Sequence, residues 1–170
     1  MAAEVKFTNN SIKVSKALES ACIAYLYEAA GELEAQVKRN MPSGQWHAQI
    51  KNAWQYKVDE SAKEAVIGNP LESSLWVEFG TGEFAIHGDG HKGYWIYVKD
   101  GDSGNMATYN GKSYSLAEAK RIVAMMRDDG IDAHYTKGQK AKKPLQNAFN
   151  SLKPALIRRA EQVLKSKMGD

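Results

Sequence analysis

The sequence predicts an α+β protein: a small, mostly antiparallel sheet packed by a long N-terminal helix and a C-terminal helix, with another helix inserted near residues 116–129. Three observations predict it. Apolar residues recur at helical spacing over residues 14–37. Short stretches in the middle alternate or carry β-branched and aromatic runs. The last quarter returns to helical spacing with a basic bias. With 170 residues, 43% of them hydrophobic and 25% charged, the chain has enough apolar material for a single domain with its own core, and wholesale disorder is excluded.

In the first helix Val14, Leu18, Cys22, Tyr25, Ala29, Leu33 and Val37 follow one another at steps of three or four. Ser11 or Asn10 caps its start and Pro42 lies beyond its end, so it spans about 25 residues, longer than the usual globular helix. Gly31 weakens it locally by about 1 kcal/mol relative to alanine. Cys22 falls on the apolar stripe and reads as a core residue rather than a nucleophile. Met41-Pro42-Ser43-Gly44 is a turn, and Trp46, Ile50 and Ala53 sit at the steps of a short helix. Trp54, Tyr56 and Val58 then alternate with Gln55, Lys57 and Asp59, the pattern of a half-buried strand. After a turn over residues 60–63, Ala65–Gly68 reads as its antiparallel partner, ended by Asn69-Pro70.

Leu71 to Phe79 fits two states. Leu75, Trp76 and Phe79 suit a helical face, while Leu-Trp-Val-Glu-Phe also has strand propensity. Gly80-Thr81-Gly82 ends it in either case, and a glycine-rich loop leads to a strand at Tyr94–Val98. Residues 100–104 are a turn or loop, and Tyr109-Asn110-Gly111-Lys112 is a hairpin signal. Ser115 and Glu118 have capping-box spacing before a helix with Leu116, Ala119, Ile122, Val123 and Met126 on one face, and Gly130 suits its left-handed cap. Residues 131–135 alternate as a strand, and 136–143 form a basic loop. The last helix starts near Pro144, carries Leu145, Ala148, Phe149, Leu152, Leu156, Val163 and Leu164, and meets a kink or restart at Pro154. The sheet is assembled from strands near 54–58, 64–68, 94–98 and 131–135.

Composition excludes several functions. No stretch approaches the roughly 20 apolar residues of a membrane span. The first residues lack the basic and apolar segments of a signal peptide. A single cysteine rules out a disulfide framework within the chain and a thiolate zinc cluster, which fits folding in a reducing cytosol. Net charge is +3, unevenly spread: residues 137–170 hold nine Lys or Arg against two acids, which gives +7 there and −4 elsewhere. A basic end suits a polyanion or an acidic protein surface, and equally a solvated helix face.

The chemistry-bearing clusters are sparse. His87, Asp89 and His91 offer two imidazoles and a carboxylate for a divalent metal, but match no metal motif and sit among flexible glycines. Asp100-Gly101-Asp102-Ser103-Gly104 has the start of a calcium loop, yet its closing acidic position falls on Gly111. There is no nucleophile elbow, zincin helix or Walker loop. Gly80-Thr81-Gly82 lacks the rest of a dinucleotide fingerprint, and His47 and His134 stand alone. Trp46, Trp54, Trp76, Phe79, Tyr94, Trp95 and Tyr97 read either as a strand-rich core or as interface anchors.

Val77-Glu78-Phe79-Gly80-Thr81-Gly82, the glycine-rich loop, Trp95, Thr136-Lys137-Gly138-Gln139-Lys140-Ala141, and then Pro144-Leu145 and Ala148 resemble, in that order, the tail-completion or head–tail connection proteins of tailed phages, the gene-product-ten family of lambda-like phages. Pro42-Ser43-Gly44 is similar to that family's turn after its long first helix, shortened and without its threonine. Pro144-Leu145 stands where the family commonly has Pro-Phe. The resemblance runs from about residue 12 to 165. It implies one connector domain over residues 1–170, with 109–135 as an insertion.

The resemblance further implies a virion protein of the neck, made in the host cytoplasm. Such a protein forms a six-fold ring of its own copies, completes the tail and joins it to the head. The implied partners are the head–tail connector or stopper protein and the tail tube or tail terminator. DNA would pass through the lumen without sequence-specific binding, and no membrane, cofactor or catalysis is implied. The interface residues it points to are Glu78, Phe79, Gly80, Thr81, Gly82, Glu83, Trp95, Lys137, Gly138, Gln139, Lys140, Lys142 and Lys143, with Glu78 and Glu83 meeting a neighbour's basic loop. A tail terminator and a nucleic-acid-binding module using the basic C-terminal region are the alternative readings.

Overall fold

The helical periodicity near the N-terminus becomes, in the computed structural model, one 30-residue helix, α1 (Ser11–Asn40). It extends beyond the expected 25 residues because Pro42 is the first residue that cannot continue it. The structure describes residues 11–88, 90–99 and 106–168. Among these the order is α1, α2 (Gln45–Asn52), β1 (Gln55–Asp59), β2 (Glu64–Gly68), α3 (Ser73–Phe79), a 3-10 turn (Gly82–Phe84), β3 (Trp95–Lys99), β4 (Met106–Thr108), α4 (Leu116–Asp128), β5 (Ala133–Thr136) and α5 (Pro144–Met168). The protein is α+β, with long helices at its two ends, two small antiparallel sheets and a helix inserted among the strands. The expected strands therefore divide between two sheets, and β4 joins them as a strand too short to leave an alternating pattern.

The chain forms two compact units, Met1–Pro70 with Pro144–Asp170 and Leu71–Lys143. In the first, the terminal unit, α1 and α5 pack antiparallel. Asn40 Nδ2 donates to the Pro144 carbonyl at 3.1 Å, and the Tyr25 hydroxyl donates to the Leu156 carbonyl. The Arg159 guanidinium reaches back to Glu28 at 2.8 Å and to Glu32. Val37, Ile50, Trp54 and Ala148 are buried in this unit. Pro154 lies within α5 without ending it; it and Asn150, whose carbonyl loses its helical donor, are both exposed.

β1 and β2 pair with Tyr56 opposite Ile67 and Val58 opposite Ala65, so the apolar alternation faces α1. The turn between them is held by the Asp59 carboxylate, which accepts from Ser61 N at 3.0 Å and Ala62 N at 2.9 Å. Gly31 lies beneath the Tyr56 ring, where an added Cβ would stand 3.7 Å from its nearest atom, an ordinary contact.

In the second, the central unit, the sheet order is β4-β3-β5, with Ile96 opposite Tyr135 and Val98 opposite Ala133 on one side and Val98 opposite Ala107 on the other. α4 packs on this sheet and closes a core of Ile96, Ala119, Val123 and Ala133. The expected capping box is present: Ser115 Oγ accepts from Glu118 N at 3.3 Å while the Glu118 carboxylate accepts from Ser115 N at 2.9 Å. Asn110 and Gly111 take the positive φ of a tight turn, 45° and 66°. The chain leaves that turn to bridge Tyr114 to Tyr94 instead of forming a regular hairpin.

Replacing Gly31 by alanine should stabilise the protein by about 1 kcal/mol, since it improves helix propensity and the added methyl meets Tyr56 at ordinary distance. Urea unfolding of the two proteins side by side checks this, and a loss of stability would show that the helix needs glycine there for a different reason.

Candidate assembly interface

The residues singled out in the sequence converge within the central unit. α3 ends at Phe79, and Gly80, at φ 75°, turns the chain so that residues 81–83 run antiparallel to residues 137–139. Thr81 N donates to the Gln139 carbonyl at 2.9 Å and Glu83 N to the Lys137 carbonyl at 3.0 Å. Gln139 N donates to Thr81 Oγ1 at 3.1 Å, and its side-chain Nε2 donates to the Trp76 carbonyl at 3.0 Å. Lys142 N reaches the Val77 carbonyl at 2.8 Å. The two backbones approach so closely that a Cβ on Gly82 would sit 2.3 Å from the Lys137 carbonyl oxygen and 2.6 Å from the Trp95 ring, and one on Gly138 would sit 2.0 Å from the Thr81 carbonyl oxygen. Both glycines also have positive φ, so space and conformation each demand glycine.

The charges around this stitch are engaged within the chain. Lys137 Nζ stands 3.3 Å from Glu83 Oε2 and over the rings of Phe84 and Tyr94 at 5.3 and 5.9 Å. Lys140 approaches the Phe84 ring at 6.0 Å. Glu83 Oε1 accepts from Gly93 N at 3.2 Å, tying the glycine-rich loop to the same point. The bond to Lys137 and then that backbone donor hold the Glu83 carboxyl below its ordinary value. Lys143 takes a left-handed φ of 54° just before α5.

Glu78, unlike Glu83, is buried. It shares the inner face of α3 with Ser74 and Val77, while Leu75, Trp76 and Phe79 point outward and are exposed. Ile86 extends this outer patch: its N–H donates to the Phe79 carbonyl at 3.0 Å and its side chain is exposed. The His87 ring lies 5.2 Å from that of Phe79. Leu75, Trp76 and Ile86 were not among the residues implied by the resemblance; the i, i+4 spacing of Leu75 and Phe79 was the sequence signal for a shared face.

Of the possible metal cluster, Asp89 lies outside the described residues, His87 packs on Phe79, and His91 lies 3.3 Å from Ser113 Oγ. Residues 100–104, read as a turn or loop with a partial calcium pattern, also lie outside the described residues. Among the described residues no three His, Cys, Asp or Glu side chains are grouped to hold a metal ion, and no helix is long and apolar enough to cross a membrane.

Alanine at Gly82 or Gly138 should cost on the order of 3 kcal/mol, because the added methyl meets backbone and takes a disfavoured φ. Hydrogen exchange should then show lost protection at the amides of Thr81, Glu83 and Gln139. Unchanged protection would mean that the stitch is not closed in solution. For Glu83→Gln the sign of the pH effect follows from the lowered carboxyl value. The wild-type advantage is full above pH 4.5, the ordinary value, and disappears as pH falls through the lower folded-state value. Denaturation of both proteins across this range reads it.

The comparison with curated proteins and that with solved structures found no match to the chain. Residues 6–80, running through α1, α2, the β1–β2 hairpin and α3 and stopping at Gly80, match the family model HK97-gp10-like, described as "Bacteriophage HK97-gp10, putative tail-component". Over that amino-terminal stretch the chain is thus similar to the tail components of the HK97-gp10-like phage family.

Proposed function

We propose that this chain is a structural virion protein of a tailed phage that forms a ring at the neck, completes the tail and joins it to the head. In this reading the whole chain acts as one connector, with residues 109–135 as an addition, and its partners are its own copies, the head connector or stopper, and the tail tube or terminator. The observation that carries it is the inverted α3: a seven-residue helix that buries Ser74 and Glu78 while exposing Leu75, Trp76 and Phe79. Burying a carboxylate while leaving three large apolar side chains in water makes sense for a surface that another protein covers. The phage tail-component match over residues 6–80 supplies the setting. The glycine stitch supports the patch as a preformed platform, so that little ordering is required on docking.

Deleting the gene from its phage or prophage and imaging the induced lysate by negative stain tests the reading. DNA-filled heads beside unattached tails of normal length are expected. Overlong tails would instead indicate a tail terminator, and intact infectious virions would remove the proposal. Complementation with a Leu75→Asp, Phe79→Asp chain should lower the titre by at least about a hundredfold, since buried anchors dominate interface energy. Circular dichroism of that variant separates lost docking from lost folding. Charge reversal at Lys140, Lys142 and Lys143 that left assembly intact would take the basic loop out of the interface.

A further inference from the structure

Helix α5 carries two apolar stripes. Ala148 is buried, and Leu145, Leu152, Leu156 and Val163 are half-buried, on the side that α1 covers. Phe149, Ile157, Leu164 and Met168 are exposed. At helical spacing these four fall within about 100° of the circumference, adjoining the covered stripe, and Leu164 also lines a pocket with Cys22, Tyr25 and Leu26 of α1. Lys165 and Lys167 flank Leu164 and Met168 on opposite sides of this stripe, and among the described residues neither makes an ion pair. An apolar strip bordered by charge has the anatomy of a docking surface.

A surface of opposite sign lies at the end of α4. Met125 and Ile131 are exposed there, and Met125 and Met168 are each 61% exposed. Asp128 and Asp129 stand at the helix C-terminus, the end where the peptide dipoles disfavour negative charge. Neither aspartate makes an ion pair among the described residues, and the nearby Arg127 side chain is committed to the Ala133 carbonyl at 2.9 Å. Two acids at the wrong end of a helix, beside two exposed apolar side chains, complement two lysines beside two exposed apolar side chains.

We propose that the C-terminal turn of α5 in one copy docks on the C-terminal turn of α4 in the next, with Leu164 and Met168 against Met125 and Ile131, and Lys165 and Lys167 facing Asp128 and Asp129. The inference rests on the ring reading and names one contact that builds it. The two surfaces differ, so the contact is head-to-tail, the kind that closes into a ring. A polyanion would satisfy the lysines of α5 but leave the acidic end of α4 unexplained, which is why a second copy is the occupant.

The test uses full-length chains carrying Cys22→Ala. Met125→Cys and Met168→Cys are made in separate chains, mixed, and treated with a short bismaleimide; Val66→Cys, exposed on the β-hairpin, replaces Met168→Cys as the control. The 125–168 product should exceed the control by about tenfold, and Lys165→Glu with Lys167→Glu, or Asp128→Lys with Asp129→Lys, should return it to the control level. Combining both reversals across the mixed chains should restore it. A yield no higher than the control, or one indifferent to the reversals, overturns the contact. Light scattering of the wild-type protein and images of wild-type necks tell the two failures apart: rings without the cross-link leave the ring reading standing, and the absence of rings removes both. Salt-sensitive binding to DNA or anionic vesicles that needs Lys165 and Lys167, without the cross-link, assigns the stripe to a polyanion and also overturns the proposal.

Discussion

The close approach of residues 80–83 to residues 137–142 is the constraint on which the central unit depends. That unit starts at Leu71 and ends at Lys143, so the stitch ties its entry to its exit. A segment whose ends are fixed side by side can be an excursion from the chain around it, because its own contacts close the loop. The same bonds explain how α3 persists. Seven residues are too few for a stable isolated helix. Here the Trp76 carbonyl accepts from Gly80 N and Gln139 Nε2, and the Val77 carbonyl accepts from Lys142 N. The exit segment thus supplies the donors that a short helix lacks at its C-terminal end.

This arrangement fixes which side chains α3 can show. With the stitch closed, Val77 and Glu78 lie inward, and Leu75, Trp76 and Phe79 have only the outer face to occupy. The glycine string that marks the family resemblance therefore acts one step away from any surface. It holds the backbone that presents the apolar residues, and Glu83 and Lys137, which look like surface charges in the sequence, fasten the glycine-rich loop to Phe84 and Tyr94. Glycine at positions 82 and 138 is required by backbone contact inside the chain, whether or not a neighbour touches it.

Much of the fold was legible because its causes are local. The spacing from Val14 to Val37, the alternation from Trp54 to Val58 and the Ser115–Glu118 pair each act over one element, and each appears as read. What the sequence could not yield depends on partners far along the chain. Leu71–Phe79 fitted helix and strand alike until Gln139 and Lys142 supplied its carbonyls with donors. The division of the strands into two sheets follows from which edges meet, and alternation does not encode that. The candidate site was half visible: its glycines and lysines stood out as a motif, but not that Glu83 and Lys137, 54 residues apart, would face each other. Leu75, Trp76 and Phe79 could be read as one helical face, but it was not visible that this face would point outward, nor that Ile86 would extend it.

The cores themselves bear on assembly. In the central unit, the fully buried centre of the core under α4 is Ile96, Ala119, Val123 and Ala133, two of them alanines, and the larger Tyr94, Val98, Tyr114, Ile122, Met126 and Tyr135 packed around it are only partly buried. Small side chains bury little area, and a unit of this size has little apolar burial to set against its chain entropy. Meanwhile Leu75, Trp76, Met125 and Ile131 of the same unit remain exposed. A sequence that leaves larger apolar side chains outside than several of those it places inside has much of its burial still to gain. If neighbouring copies cover those residues, binding stabilises the folded form by mass action, and the stability of the unit becomes a property of the assembled ring as much as of the single chain. On the proposed ring reading, the economy of the central core and the exposure of the α3 and α4 surfaces share one cause: packing left for neighbouring copies to complete.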